Sequence, residues 1–199
     1  MADTKERILL AALRLFARDG YEAVSVSAIA GELGMTKSAV YKHYINKRDI
    51  FDSIVARMNR MDTDHAKEYG VPEGPVEQMA DAYRATSFQN IAAYTEAQFL
   101  YWTENEFSSN FRKMLTLEQY RNKEMSELYR NYLSAGPLHY MTDLFGKMAH
   151  SGGNASMLAL SYYAPVFMLY RMYDETDNKE DVLAMLRSHL ASFAEENIK

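Results

Sequence analysis

Along most of this chain, apolar residues recur at intervals of three and four, the spacing that lines one face of an α-helix. The first such stretch carries Ile8, Ala11, Ala12, Leu15 and Phe16. Asp3-Thr-Lys-Glu6 precedes them as a capping box, in which a side-chain oxygen accepts from a free N–H of the first turn. Gly20 is placed to end the helix, because glycine tolerates the left-handed backbone that closes helices. Ser25 is the next N-cap and opens a short helix with Ile29, Ala30 and Leu33 inward and Gly34 behind it. Thr36 caps a third helix, expected over residues 37–44. Asn46-Lys-Arg-Asp49 reads as a second capping box. The helix it opens turns Ile50, Phe51, Ile54, Val55, Met58 and Met61 inward and is expected to run to about residue 69.

Gly70-Val-Pro-Glu-Gly-Pro75 is the strongest breaker in the chain. Helices are expected beyond it over residues 75–105, 110–121, onward to 134, from Gly136-Pro137 to about 150, and over 155–174 and 178–196. Ser151-Gly-Gly-Asn154 reads as a loop ending in a cap. No segment alternates with a period of two beside hairpin turns, and no internal repeat is present. The expected fold class is all-α.

Composition narrows the function classes. The chain has 199 residues, 48% apolar and 25% charged, ordinary globular usage. It has no cysteine, which excludes disulfide frameworks, thiolate zinc sites and thiol nucleophiles together. Charges occupy the first seven residues where a signal peptide needs an apolar run, so a cytoplasmic protein is expected. Residues 151–170 lack a formal charge, but their glycines, serines, tyrosines and Pro165 argue against a membrane span. None of the five histidines has a glutamate three residues before it, and GxSxG, P-loop and GxGxxG patterns are absent. No catalytic group, no metal and no cofactor are therefore expected.

The net charge of −5 points away from nucleic acid, but its distribution reverses that reading. Residues 1–50 hold eight basic and six acidic side chains, a net of +2, and the remainder carries −7. Within residues 36–48, Lys37, Lys42, Lys47 and Arg48 stand with no acid among them. Two short helices joined by a glycine-containing turn form a helix-turn-helix candidate, whose second helix fits the DNA major groove. Close crossing of the pair needs a small buried residue, here Ala30, beside apolar Ile29, Leu33 and Val40.

The run from Ser25 to Ile50 resembles the signature of the TetR (tetracycline-repressor) family of bacterial transcription regulators. The matching positions are Ser25, Ile29-Ala30, Gly34-Met35-Thr36, Val40-Tyr41, His43-Tyr44 and Lys47, together with Phe16-Ala-Arg-Asp-Gly-Tyr21 before them. Met35, Ala39 and Tyr44 depart from the usual valine, hydroxyl residue and phenylalanine. The resemblance implies a three-helix DNA-binding domain at residues 1–47 and a helical regulatory and dimerisation domain at residues 48–199. It implies DNA contacts from Ser25, Ser27, Thr36, Lys37, Ser38, Tyr41, Lys42, His43 and Lys47. Lys37 is the base-edge candidate, Lys47 and His43 the phosphate candidates, and Tyr44 is read as core.

Apolar residues surround the helix expected at 155–174, from Met157 to Tyr173, so it must be buried on several sides. The last helix carries Val182, Leu183, Leu186, Leu190 and Phe193. A monomeric core accounts for this pattern, as does a homodimer through the last two helices; the resemblance implies the dimer, reading a palindromic operator. Residues 94–132 are rich in aromatics and methionines. The resemblance implies a small hydrophobic or aromatic effector in this body, with Gln98, Trp102, Tyr120, Tyr163 and Phe167 as candidate contacts. A DNA-binding protein without a small ligand is the alternative.

Overall fold

The computed structural model describes residues 3–69, 81–82, 86–147 and 154–197, and the regular structure among them is α-helical. The breaker at residues 70–75 and the glycines at 152 and 153 lie outside the described residues. The chain packs as two units, Met1–Asp62 with Glu104–Tyr129, and Thr63–Thr103 with Arg130–Lys199. The sequence expectation drew its boundary after residue 47. In the structure residues 48–62 and 104–129 join the same compact unit as the first helices.

The first unit begins with α1 (Thr4–Asp19), whose N-cap Asp3 accepts from the Lys5 N–H. Ile8, Ala11, Ala12, Leu15 and Phe16 are buried as the spacing predicts, and so are Leu9 and Leu13. The reason is that α1 packs both on α2 (Val26–Glu32) and on α6 (Glu106–Glu118), so one stripe is not enough. Helix α3 (Lys37–Val40) follows α2, and α4 (Lys47–Glu68) buries Ile50, Phe51, Ile54 and Met58. Expected to start near residue 110, α6 begins earlier, because Asn105 caps it by accepting from the Phe107 and Ser108 N–H groups. Helix α7 (Lys123–Leu133) has its first turns in this unit.

The second unit holds α5 (Phe88–Glu104) as far as Thr103, with α8 (Ala135–Lys147), α9 (Ala155–Glu175) and α10 (Lys179–Asn197). Helix α9 packs between α8 and α10. Its core is aromatic: Tyr162 meets Phe88, Phe145 and Phe193 edge to face at 5.0–6.0 Å, and Phe99 stacks on Tyr170 at 4.9 Å. The polar ends of this core are satisfied. The Thr95 and Tyr162 hydroxyls share a hydrogen bond of 2.7 Å, and His189 Nε2 lies 2.8 Å from the Tyr162 carbonyl. Burial pushes the Tyr162 phenol well above its usual range.

Gly136-Pro137 does not separate helices as expected but lies within the first turn of α8. Proline is tolerated there because its missing N–H would have no partner anyway. Gly136 is required by close approach, since a Cβ on it would stand 1.9 Å from the Asn131 carbonyl oxygen.

Candidate nucleic-acid interface

The α2–α3 pair is built from caps and one turn. Ser25 Oγ accepts from the Ala28 N–H at 3.1 Å, and Thr36 Oγ1 accepts from the Ala39 N–H at 3.3 Å. Between them the Met35 N–H reaches the Ala30 carbonyl at 2.8 Å and the Gly34 N–H reaches that of Gly31 at 3.1 Å. This is the double closure of a Schellman motif, and Gly34 supplies its positive φ of 64°. Ile29, Ala30 and Val40 are buried behind the pair.

The third helix is shorter than expected. It ends at Val40, and Tyr41–His43 continue as turns. The His43 and Tyr44 N–H groups both still reach the Val40 carbonyl, at 2.9 and 3.1 Å, and the Tyr44 side chain turns into the core, where its hydroxyl donates to the Lys5 carbonyl at 3.2 Å. Burial, with Glu6 nearby, raises the Tyr44 phenol to about 12.

Eight of the nine expected DNA contacts lie on residues 25–43. Ser25, Ser27, Thr36, Lys37, Ser38, Tyr41 and Lys42 are exposed, and His43 is half-buried. Thr36 and Ser38 share a hydroxyl hydrogen bond of 3.0 Å, and the Lys37 ammonium stands 5.7 Å from the Tyr41 ring centre. The ninth is held differently. The Lys47 ammonium donates to the Tyr21 carbonyl at 2.9 Å and to that of Glu22 at 3.4 Å, and sits 4.3 Å from the Tyr21 ring centre. Tyr21 is in turn packed against Phe16 and Phe51, each at 5.1 Å. Lys47 thus fastens the start of α4 to the turn after α1.

Arg48, which the sequence shows only as one member of the basic patch, has a specific partner. Its guanidinium donates through Nη1 and Nη2 to the two carboxylate oxygens of Glu124, both at 2.6 Å, and through Nε to Asp52 at 2.7 Å. These bonds hold it firmly protonated, Glu124 contributing most. The Asp52 spacing of four is legible in sequence. Glu124 lies 76 residues away, and no local pattern announces it.

The expected effector residues do not form one group. Trp102 is buried in the second unit, edge-on to Tyr101 at 6.0 Å and to Tyr132 at 5.9 Å. Gln98 is half-buried one turn earlier on α5. Tyr163 is half-buried and donates to the Leu133 carbonyl at 2.9 Å. Phe167 is partly exposed on α9 beside Met168. Tyr120 is 91% exposed and belongs to the first unit, just past the end of α6, so it lines no pocket. The effector contact expected of Tyr120 fails because the helix stops at Glu118 and leaves the ring in solvent. Beside the expected residues, His65 stacks on Tyr101 at 4.5 Å with Tyr69 and Tyr94 close by.

Comparison with known proteins agrees with this geometry. The profile of bacterial regulatory proteins, tetR family, matches residues 8–54. YerO, an uncharacterized HTH-type transcriptional regulator of Bacillus subtilis, is 31% identical over 156 residues, covering 72% of this chain and 52% of YerO. BepR, an HTH-type transcriptional repressor of Brucella suis, is 43% identical over 56 residues, covering 28% of this chain and 27% of BepR. The matches thus span about half the length of YerO and about a quarter of BepR. Among solved structures, the SmeT–triclosan complex is similar with a TM-score of 0.68 at 19% identity, covering 98% of this chain and 92% of SmeT. SmeT is the repressor of a multidrug efflux pump in Stenotrophomonas maltophilia. At that identity the likeness is one of fold, extending it over nearly the whole chain. Residues 8–54 thus carry a helix-turn-helix head of the bacterial tetR regulatory type, and the chain as a whole shares the all-α fold of the SmeT repressor.

Proposed function

We propose that the protein is a transcriptional repressor that binds a palindromic operator as a homodimer and is released by a small hydrophobic or aromatic effector. The observation that carries the reading is the outward side of residues 36–42. Thr36, Lys37, Ser38, Tyr41 and Lys42 are exposed there, and no acid stands among them. Lysines and hydroxyls are donors for phosphates and base edges, and a helix start supported by a preceding helix fits the major groove.

The outer face of the last two helices supports the dimer. Met157, Leu160, Phe167 and Met168 project from α9, and Met185 from α10. Small residues Ala164, Ala184, Ser188 and Ser192 lie exposed along the same two helices. A second copy of this face would cover the apolar residues and bring two heads to successive turns of DNA. Phe167 fits this role better than a pocket.

The ring cluster of His65, Tyr69, Tyr94, Tyr101, Trp102 and Tyr132 supports an aromatic effector, since planar rings stack and electron-rich faces attract cations. An effector acts only through its different affinity for DNA-bound and DNA-free arrangements.

Selection of duplexes from a random library tests the DNA reading. Two inverted half-sites about one DNA turn apart are expected. Recovery of no sequence overturns operator binding, and recovery of one half-site overturns the dimer. Triclosan, the compound in the SmeT complex, is a suitable first effector probe. Trp102 is the single tryptophan, so its fluorescence reports binding directly. Operator affinity that stays constant while triclosan saturates the protein excludes triclosan-driven release.

A further inference from the structure

We propose that the Arg48–Glu124 ion pair is a positioning device for DNA binding: it sets the start of α4, and through it Lys47 and the α3–α4 joint, without touching DNA itself. The inference rests on the operator-binding reading above.

The start of α4 is fastened on two sides by adjacent residues. Lys47 ties it to the turn after α1, and Arg48 ties it to the first turn of α7. The joint before it is stiff, because the Asp49 N–H donates to Asn46 Oδ1 and the Ile45 N–H donates to Asp49 Oδ2, both at 2.9 Å. The joint leads back through buried Tyr44 to the exposed face of α3.

Arg48 looks like one more phosphate cation in sequence, but its donors are committed. The two-pronged contact with Glu124 and the Nε bond to Asp52 place two carboxylates against one guanidinium. A phosphate approaching it would meet a local excess of negative charge. Forked geometry also fixes orientation in a way a single point contact does not. Rotation of α7 would therefore reach Lys47 without passing along α4.

The test compares full-length variants on the duplex selected by the wild-type protein, over a range of salt concentrations. Arg48→Ala and Glu124→Ala should each weaken binding about threefold to fivefold per head, the range of a half-exposed ion pair, and about tenfold to twenty-five-fold when two heads bind together. The double variant should be no weaker than either single variant. The slope of log affinity against log salt should stay within about a third of a unit of wild type, whereas Lys42→Ala should reduce it by about one per head. Arg48→Lys keeps the charge but loses the fork and should behave like Arg48→Ala. Arg48→Glu with Glu124→Arg should recover most of what Arg48→Glu alone loses. Helical content and melting temperature of each variant distinguish a misfolded protein from a misplaced head. A slope lowered by one in Arg48→Ala, additive losses in the double variant, or wild-type affinity in Glu124→Ala would each overturn the proposal. If the wild-type protein selects no duplex, the operator reading fails and not the clamp, whose coupling then shows as non-additive melting temperatures of the same variants.

Discussion

Gly20 and Gly34 both have positive φ, yet alanine at the two positions should have unequal effects. Gly34 has φ 64°, and a Cβ built there meets nothing within 4 Å. Its replacement involves only the left-handed backbone, about 1–2 kcal/mol. Gly20 has φ 89° and ψ 149°, a region almost restricted to glycine, for which strain of order 1–3 kcal/mol is expected. Its Cβ would also stand 2.4 Å from Glu118 Oε1. That carboxylate is fully buried, with Arg121 at 3.9 Å, so it has little room to retreat. Overpacking of this kind adds about 1–3 kcal/mol. Gly20→Ala should therefore destabilise by roughly 2–6 kcal/mol, about two to three times the effect of Gly34→Ala. At about 2–4 °C per kcal/mol for a chain of this size, the two melting temperatures should separate clearly. Differential scanning calorimetry at one protein concentration measures both. Adding Glu118→Ala to Gly20→Ala should restore the steric part and leave the backbone part. Equal losses for the two glycines, or no recovery in the double variant, would refute the reasoning. Gly20→Ala should also weaken operator binding, because Lys47 is anchored on the next two carbonyls.

Four further outcomes follow from the same geometry. Lys47→Ala should lower unfolding free energy by about 1–2 kcal/mol, because a charge-assisted hydrogen bond to a part-buried carbonyl is lost; urea titration measures this, and unchanged stability with a salt slope reduced by one per head would return Lys47 to the role of a simple phosphate contact. Met168→Glu places a charge on the exposed apolar face of α9 and should shift the protein from dimer to monomer in sedimentation velocity, while Tyr120→Ala should change neither assembly nor melting temperature appreciably. Stability should fall as pH rises from about 10 to about 12, because tyrosines of the unfolded chain ionise near 10 while buried Tyr44 stays neutral up to about 12; this loss should be shallower in Tyr44→Phe, followed by urea midpoints across that window.

What the sequence discloses depends on how far apart the interacting residues lie. Caps and stripes are local, so Ser25, Thr36 and the face of Ile8, Ala11, Ala12, Leu15 and Phe16 are readable from a few neighbours. The pairing of α1 with α6 is not, because it joins helices on the order of a hundred positions apart, and its mark is the burial of Leu9 and Leu13 outside the predicted stripe. Gly136-Pro137 misleads for a different reason: the same dipeptide that breaks a helix interior is tolerated in a first turn. Tyr120 and Trp102 are indistinguishable by composition, yet one sits past a helix end in solvent and the other is buried on α5. Lys47 looks like free charge until the carbonyls of Tyr21 and Glu22 are seen beneath it.

The short α3 gives these distant contacts their functional weight. Four helical residues cannot sustain their own conformation, since a single turn costs more in ordering than its hydrogen bonds return. The pose of Lys37, Ser38, Tyr41 and Lys42 must therefore come from what surrounds them. Thr36 fixes one end, Val40 is buried beneath, and Tyr44 holds the other end on the Lys5 carbonyl of α1. Beyond it, the Asn46–Asp49 cap joins this assembly to α4, whose start Lys47 fastens to the turn after α1 and Arg48 to α7. A head built this way reads DNA with a surface whose shape is stored in its tertiary contacts. Substitutions at Tyr44 or Glu124, neither of which belongs to the exposed donors of residues 36–42, should accordingly change operator affinity while leaving those donors chemically intact.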